Sequence, residues 1–260
     1  MPELLLPLIF FVFGLCIGSF LNVCIYRIPE SKSIVHPGSS CPSCGTPIKV
    51  YDNIPVISYF ILRARCRSCK HQISFRYPLV ELFTGGIWVL SYLKFGFSLE
   101  CLAMLVFLSV LILITFIDID HRIIPDTISL PGIPLCFLGA VFLTPLGWKD
   151  SLIGILAGGG ILFLVAEGYY RLKHEEGMGG GDIKLLAMIG AFIGWKGVFF
   201  TIFASSAIGT VIGLFLMVIT RNNLKLAVPF GPFIALGATL YLFAGQEILH
   251  WYYGLSGIYS

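Results

Sequence analysis

The chain has 260 residues, of which 57% are hydrophobic and only 12% charged, with a formal net charge of +3. A soluble domain carries about 25% charged residues, so composition excludes an ordinary soluble enzyme. Apolar runs on this scale cannot all be buried in one small core, and lipid is their natural solvent.

A helix needs about 20 mostly apolar residues to cross a bilayer. In chain order the candidates are Leu4–Ile25, Leu79–Tyr92, Leu99–Ile117, Ile128–Leu143 and Leu152–Tyr169. The first run is too long for the core of a signal peptide and no small-residue cleavage pattern follows it, so it reads as a span. The next apolar stretch, Ile183–Ile219, is too long for one crossing at about 1.5 Å per residue. A fold-back is expected at Gly194-Trp195-Lys196-Gly197, with glycines for the turn and Trp195 at the interface. A last span runs over Leu226–Ala244. Glycines and prolines inside spans (Pro131, Pro134, Gly158, Gly159, Gly160) are tolerable where neighbouring helices approach closely.

Residues 27–77 break the pattern, being polar, basic and cysteine-bearing. The expected fold is therefore an all-α polytopic membrane protein of about eight transmembrane helices, with a small zinc-knuckle domain between helices 1 and 2. Residues 1–26 form the first span, 27–77 the cysteine domain, and 78–260 the remaining membrane domain. With eight spans, all but three of the 17 Lys and Arg (Lys94, Lys149 and Lys196) fall on one side. The positive-inside rule makes that side cytoplasmic, with both termini outside.

Cys41-Pro-Ser-Cys44 and Cys66-Arg-Ser-Cys69 are two C-x2-C pairs separated by 21 residues. Two thiolates three positions apart grip one metal ion, and two such knuckles complete a tetrahedral, closed, structural zinc site. Gly45 suits the tight knuckle turn. A pair of disulfides is the weaker reading in a reducing compartment. Cys16, Cys24, Cys101 and Cys136 read as small buried hydrophobes within spans.

Ionisable groups at membrane depth are costly and usually functional. One acidic cluster closes the third span (Asp118, Asp120, His121, Arg122, Asp126). Another opens the sixth, in Gly177-Met-Gly179-Gly180-Gly181-Asp182-Ile-Lys184. Alone, Asp182 reads as a helix cap and the first cluster as a polar loop. Together, two carboxyls at helix ends on one side of the membrane can share a proton and activate water between them. The glycines before Asp182 would let an extended peptide approach it. Helix-end charge would make Asp182, at a helix N-terminus, the ionised partner, and Asp118, at a C-terminus, the proton holder.

Gly179-Gly180-Gly181-Asp182 fits the G-x-G-D signature of intramembrane aspartyl proteases. The chain as a whole resembles the prepilin peptidases, or type IV leader peptidases. The resemblance runs through Gly18-Ser-Phe-Leu-Asn22, Arg27-Ile-Pro29, the four cysteines, Asn53-Ile-Pro55, Ser58-Tyr59, Arg76-Tyr-Pro-Leu-Val-Glu81, Asp118 with Pro125-Asp126, Gly-Gly-Gly-Asp182-Ile-Lys184 and Pro229-Phe-Gly-Pro232. It implies an endopeptidase that removes the short basic leader of prepilins or pseudopilins at the cytoplasmic face of the inner membrane. Asp118 and Asp182 match the family's catalytic pair. It further implies N-methylation of the new N-terminal residue by S-adenosylmethionine, associated with the cysteine domain. No Rossmann-type glycine loop is present, so no residue is assigned to the methyl donor. Where the family often has glycine before the arginine of the second knuckle, this chain has Ala64.

The competing reading is a polytopic transporter with an acidic proton relay, but transport sites lie near the bilayer midplane, whereas both aspartates are expected at one edge. Asp120, His121 and Asp126 read as solvated loop residues. Glu81 and Glu167 read as partners of a neighbouring helix or as substrate contacts, and Lys184 as a partner of lipid phosphate or of the aspartates. Trp251, Tyr252 and Tyr253 look like an interfacial belt. The basic 63–70 run suits anionic lipid or an acidic partner, and nucleic acid is not expected for a domain held at a membrane.

Overall fold

The computed structural model describes residues 2–174, 179–220 and 229–255. Gly177 and Met178, the basic positions Arg221 and Lys225, and the first residues of the last predicted span (226–228) lie outside them. Among the described residues the elements are helical. They are α1 (Pro2–Arg27), a 3-10 turn (Val50–Asp52), α2 (Ile57–Ile61), α3 (Arg76–Phe95), α4 (Leu99–His121), α5 (Asp126–Leu143), α6 (Trp148–Lys173), α7 (Gly180–Thr220) and α8 (Gly231–Leu255).

Five of these are long and apolar enough to cross a membrane: α1, α4, α5, α6 and α7. The 41-residue α7 leaves helical geometry at one residue, Gly194, with φ 74° and ψ 176°. A Cβ built on Gly190 would lie 2.8 Å from Val198 Cγ2, although eight residues of straight helix rise about 12 Å. The chain therefore turns sharply here, as the sequence predicts, into arms 180–193 and 195–220. Trp195 Nε1 donates to Asp150 Oδ1 (3.0 Å), tying the turn to the start of α6. With α3, α8 and the two arms of α7 taken separately, the membrane helices among the described residues number about eight.

Boundaries differ from the apolar runs for local reasons. α3 starts at Arg76, three residues before its run, because Pro78 sits in the first turn, where a missing N–H costs nothing. α4 continues beyond Ile117 and carries Asp118 in its last turn. Pro131 and Pro134 are accommodated inside α5. Many apolar side chains stay exposed, among them Leu4, Phe13, Phe142, Leu164 and Phe203, as befits helices whose outer faces meet acyl chains.

The chain divides into two compact units, Met1–Ile117 and Asp118–Ser260. In the first, α1 packs on α3, and Trp88 Nε1 donates to Ser109 Oγ (3.1 Å). In the second, α7 packs on α5, α6 and α8. Small residues set the α6–α7 contact. A Cβ on Gly154 would stand 2.1 Å from Gly190 O, and one on Gly158 2.3 Å from Leu186 O. Ser151 Oγ donates to Ala191 O at 2.5 Å. Backbones touch along this seam, the small-x-x-x-small mode of membrane helices. Because backbone carbonyls cannot step aside, Gly158→Val is expected to destabilise the protein by about 2 kcal/mol or more. The check is denaturant titration in detergent, with Gly160→Val, whose Cβ meets nothing within 4 Å, as the control that stays near wild type.

Candidate active site and metal cluster

Asp118, in the last turn of α4, is 5% exposed. Its Oδ2 accepts the backbone N–H of Gly231, the first residue of α8, at 3.0 Å. A helix N-terminus offers unpaired N–H groups, and Pro232 has none, which leaves the Gly231 amide to meet the acid. A Cβ at position 231 would lie 2.6 Å from Asp118 Oδ2, so only glycine brings the amide this close.

Asp182 is half-buried in the first turn of α7, and its N–H donates to Gly179 O (3.2 Å). Ile124, in the α4–α5 link, is wedged between the starts of α7 and α8. Its Cβ would be 2.9 Å from a Cβ on Gly181, and its Cδ1 3.3 Å from one on Gly231. This places the two predicted carboxyls in one neighbourhood, close enough for the charge of Asp118 to act on Asp182. The glycine triplet divides its labour. Gly181 makes room for Ile124, whereas a Cβ on Gly180 would meet nothing within 4 Å. A Cβ on Gly179 would sit 3.8 Å from Asp182 Oδ2, so Gly179 is the glycine that borders the acid, a narrower role than the sequence suggests for the triplet. The helix-end argument for the proton also changes. Asp118 faces the N-terminus of α8 as well as closing α4, which removes the asymmetry between the two acids.

Lys184 Nζ meets both Asp126 oxygens (2.7 and 2.8 Å), so Asp126 is its partner rather than lipid phosphate or the aspartates. This partly exposed pair joins the starts of α5 and α7 and is worth about 0–1 kcal/mol. Asp120 and His121 are exposed. Glu167 pairs with Arg171 one turn on (2.8 Å). Trp251 is exposed, while the side chains of Tyr252 and Tyr253 lie outside the described residues. Gly231 and Ile124 carry weight that sequence reasoning did not assign. The signal for Gly231 was its place between two prolines at the head of an apolar run.

The four cysteines of the first unit converge, their Sγ atoms all within 4.8 Å of one another. Cys41 Sγ and Cys69 Sγ are 3.8 Å apart, and none of the four is in a disulfide. Tetrahedral metal–sulfur bonds of about 2.3 Å give S–S edges of about 3.8 Å, so the cluster has the size to hold one metal ion. The two knuckles are copies. Cys41 N–H donates to Thr46 O (3.0 Å) and Cys66 N–H to His71 O (2.8 Å). Gly45 N–H donates to Cys41 O (2.8 Å) and Lys70 N–H to Cys66 O (3.1 Å). The Thr46 hydroxyl, 3.2 Å from Cys44 Sγ, and the Thr46 backbone hold the Cys44 thiol down at about 6. Arg67 grips Asp52 through Nε (2.8 Å) and Nη2 (2.6 Å) and keeps its carboxyl below the ordinary range, fastening the 3-10 turn to the second knuckle. Of the other cysteines, Cys24 and Cys101 are buried as expected, Cys136 is half-buried, and Cys16 is exposed.

Gly45 has φ +69° and its counterpart Lys70 φ +61°. Ala64, just before the second knuckle, has φ +55°. Left-handed geometry costs a non-glycine residue about 1–2 kcal/mol. Lys70→Gly is therefore expected to slow metal loss to a chelator in the full-length protein, and Gly45→Ala to hasten it. Stopped-flow chelation with a metal-sensing dye reads both rates.

Residues 12–95 match the model described as Bacterial Peptidase A24 N-terminal domain, and residues 105–214 that of the Type IV leader peptidase family. A prepilin leader peptidase/N-methyltransferase of Aeromonas salmonicida is 36% identical over 97% of this chain and 95% of its own length. One of Neisseria gonorrhoeae is 35% identical over 91% of this chain and 90% of its own. One of Myxococcus xanthus is 40% identical over 81% of this chain and 63% of its own. No solved structure matches. With two family models covering both halves of a multi-pass helical chain, the protein belongs to the type IV leader peptidase family.

Proposed function

We propose that the protein is a bifunctional leader peptidase and N-methyltransferase of the bacterial inner membrane, with Asp118 and Asp182 as its catalytic pair. The observation that carries the peptidase half is the buried Asp118, held by Gly231 N–H (3.0 Å) within electrostatic reach of Asp182 at the head of α7. Two carboxyls so placed share one proton. The ionised one draws a proton from water while the other protonates the scissile carbonyl oxygen, so that water adds to the carbon without a metal. The substrates are the basic leaders of prepilins or pseudopilins. The excess of basic residues in 27–77 and in the inter-helix loops supports a cytoplasmic position for that domain and the aspartates, with both termini outside. No nucleic-acid partner is proposed.

The four cysteines hold zinc, since four thiolates in a closed tetrahedral set suit that ion. With every position filled by protein the ion folds the 27–77 domain and takes no part in hydrolysis. The methyl group transferred to the new N-terminus comes from S-adenosylmethionine, and the transfer depends on the N-terminal third of the chain.

The test of the pair is cleavage of a purified prepilin by the full-length enzyme. Asp118→Asn and Asp182→Asn are each expected to lower kcat by about 10³-fold or more, with insertion and metal content unchanged. Substantial cleavage by either removes that residue from the pair. Gly231→Ala, which sets a Cβ against Asp118 Oδ2, is expected to cost about 10²-fold in kcat, as misplaced catalytic groups do. Stripping zinc is expected to leave cleavage largely intact and to abolish methylation. Mass spectrometry of the product N-terminus before and after chelation checks this.

A further inference from the structure

The segments Gly18–Asn22, Arg27–Pro29, Asn53–Pro55 and Arg76–Glu81 belong to the unit Met1–Ile117, and both aspartates to the other. Within the unit Met1–Ile117, residues of the first three line one cavity of about 340 Å³, and the fourth supplies the acid behind it. That volume lies in the range of small-ligand pockets, about 300–1,000 Å³. α1 contributes Ser19, Phe20 and Arg27, the loop after it Val35 and Ser39, and the approach to α2 Asn53. Arg27 clasps the loop, its Nη1 donating to Ser33 O (2.9 Å) and its Nη2 to Gly38 O (3.2 Å). A guanidinium has five donors, so others remain for a ligand.

Behind Ser19 lies Glu81, 7% exposed. Its Oε2 accepts Val56 N–H at 2.7 Å, and the Ser19 side chain reaches the same carboxyl. The placement follows from Gly18. A Cβ there would be 2.7 Å from the Cα of Glu81, so α3 can press its acid against the cavity-lining face of α1. Val56 adopts φ +62°, a conformation that β-branched residues avoid and that is met at functional sites. A carboxylate buried at a helix–helix seam of a membrane protein is costly, and a cationic ligand is the partner that offsets the cost.

We infer that this cavity takes the S-adenosyl methyl donor, with Glu81 set behind Ser19 to face its positive charge. The inference rests on the methyltransferase reading above. The chemistry a bound sulfonium donor supplies is methyl transfer: the amine lone pair forms the N–C bond, the S–C pair returns to sulfur as a neutral thioether, and the amine proton leaves to water. The cavity's lining residues, with Glu81 behind them, match such a molecule part by part. Phe20 and Val35 offer apolar surface to a planar base, and the Asn53 amide both donates and accepts. Arg27 suits a carboxylate, and Glu81 suits a cation.

The experiment uses the full-length protein in lipid nanodiscs. Binding of S-adenosylmethionine and of its neutral thioether, S-adenosylhomocysteine, is measured by equilibrium dialysis, and ultraviolet crosslinking of the radiolabelled donor is mapped by peptide sequencing. Crosslinks are expected within 16–55. Val35 is 69% exposed, so Val35→Trp fills the cavity mouth without disturbing the fold and is expected to weaken both ligands roughly tenfold or more. Glu81→Gln is expected to weaken the sulfonium roughly tenfold, as loss of a charged contact does, and the thioether much less. Crosslinks confined to 118–255, or unchanged binding by Val35→Trp, overturn the site while the methyltransferase reading stands, provided the wild type methylates cleaved N-termini. Equal weakening of both ligands by Glu81→Gln overturns the charge role. A wild type that methylates no cleaved N-terminus removes the reading and the inference together.

Discussion

A polar group at membrane depth has no water to turn to and must be satisfied by the protein. Here the protein's answer is its own backbone. Asp118 accepts the N–H of Gly231 at the start of α8, and Glu81 accepts the N–H of Val56 just before α2. Asn22 donates to Tyr77 O (3.1 Å) and Ser151 to Ala191 O. Backbone donors at helix starts are available because the first turn leaves them unpaired. They are also rigid, so a carboxyl bound to one is held where the fold puts it. The cost is close approach of main chains, and that is why glycine recurs at these contacts. Gly18 lies against Glu81, Gly231 against Asp118, and Gly154 against Gly190.

The same constraint shapes the aspartate site. Asp118 is buried and tied to main chain, whereas Asp182 is half-buried and bordered by Gly179. One acid is thus fixed by the scaffold and the other is the more open of the two. Ile124 holds the spacing. A single apolar side chain against two glycines is a stiffer spacer than a salt bridge, because packed interiors resist deformation, while the Lys184–Asp126 pair nearby is solvated and contributes little.

Much of this was legible in the sequence. Length and apolar run fixed most helices to within a few residues, since a bilayer crossing has one length, but α8 runs Gly231–Leu255, well past the Ala244 at which the last apolar run was expected to end. The turn in α7 was legible because 37 apolar residues cannot cross once and Gly194 stands in their middle. The cysteine cluster was legible because two C-x2-C pairs admit few geometries. What escaped were contacts between residues far apart in the chain. Nothing local tells that Gly231 meets Asp118, 113 residues away, or that Ile124 separates Gly181 from Gly231. The knuckle strain at Lys70 also escaped, because a lysine gives no sign of left-handed geometry until its glycine counterpart Gly45 is superimposed on it. Helix-end charge was an incomplete guide to the proton for a similar reason. It weighed the two helices that carry the acids and not the third, α8, that caps one of them.

On the proposed reading, chemistry imposes an order on the two reactions. The amine that is methylated does not exist until hydrolysis has broken the peptide bond, so cleavage must come first. That amine is born as a cation at neutral pH, since an α-amino group titrates at about 7.7–8.0. The methyl donor is a cation too. The ammonium has no lone pair and must lose its proton before it attacks, and the transfer regenerates an ammonium beside the neutral thioether, so the site needs negative charge close by to seat the donor cation and the amine together. It also needs that charge shielded from bulk water, where its effect would be screened. A carboxylate on the surface of the 27–77 domain would fail the second requirement, and an apolar pocket alone would fail the first. Glu81, buried at the α1–α3 seam and reached through Ser19 from the cavity, meets both.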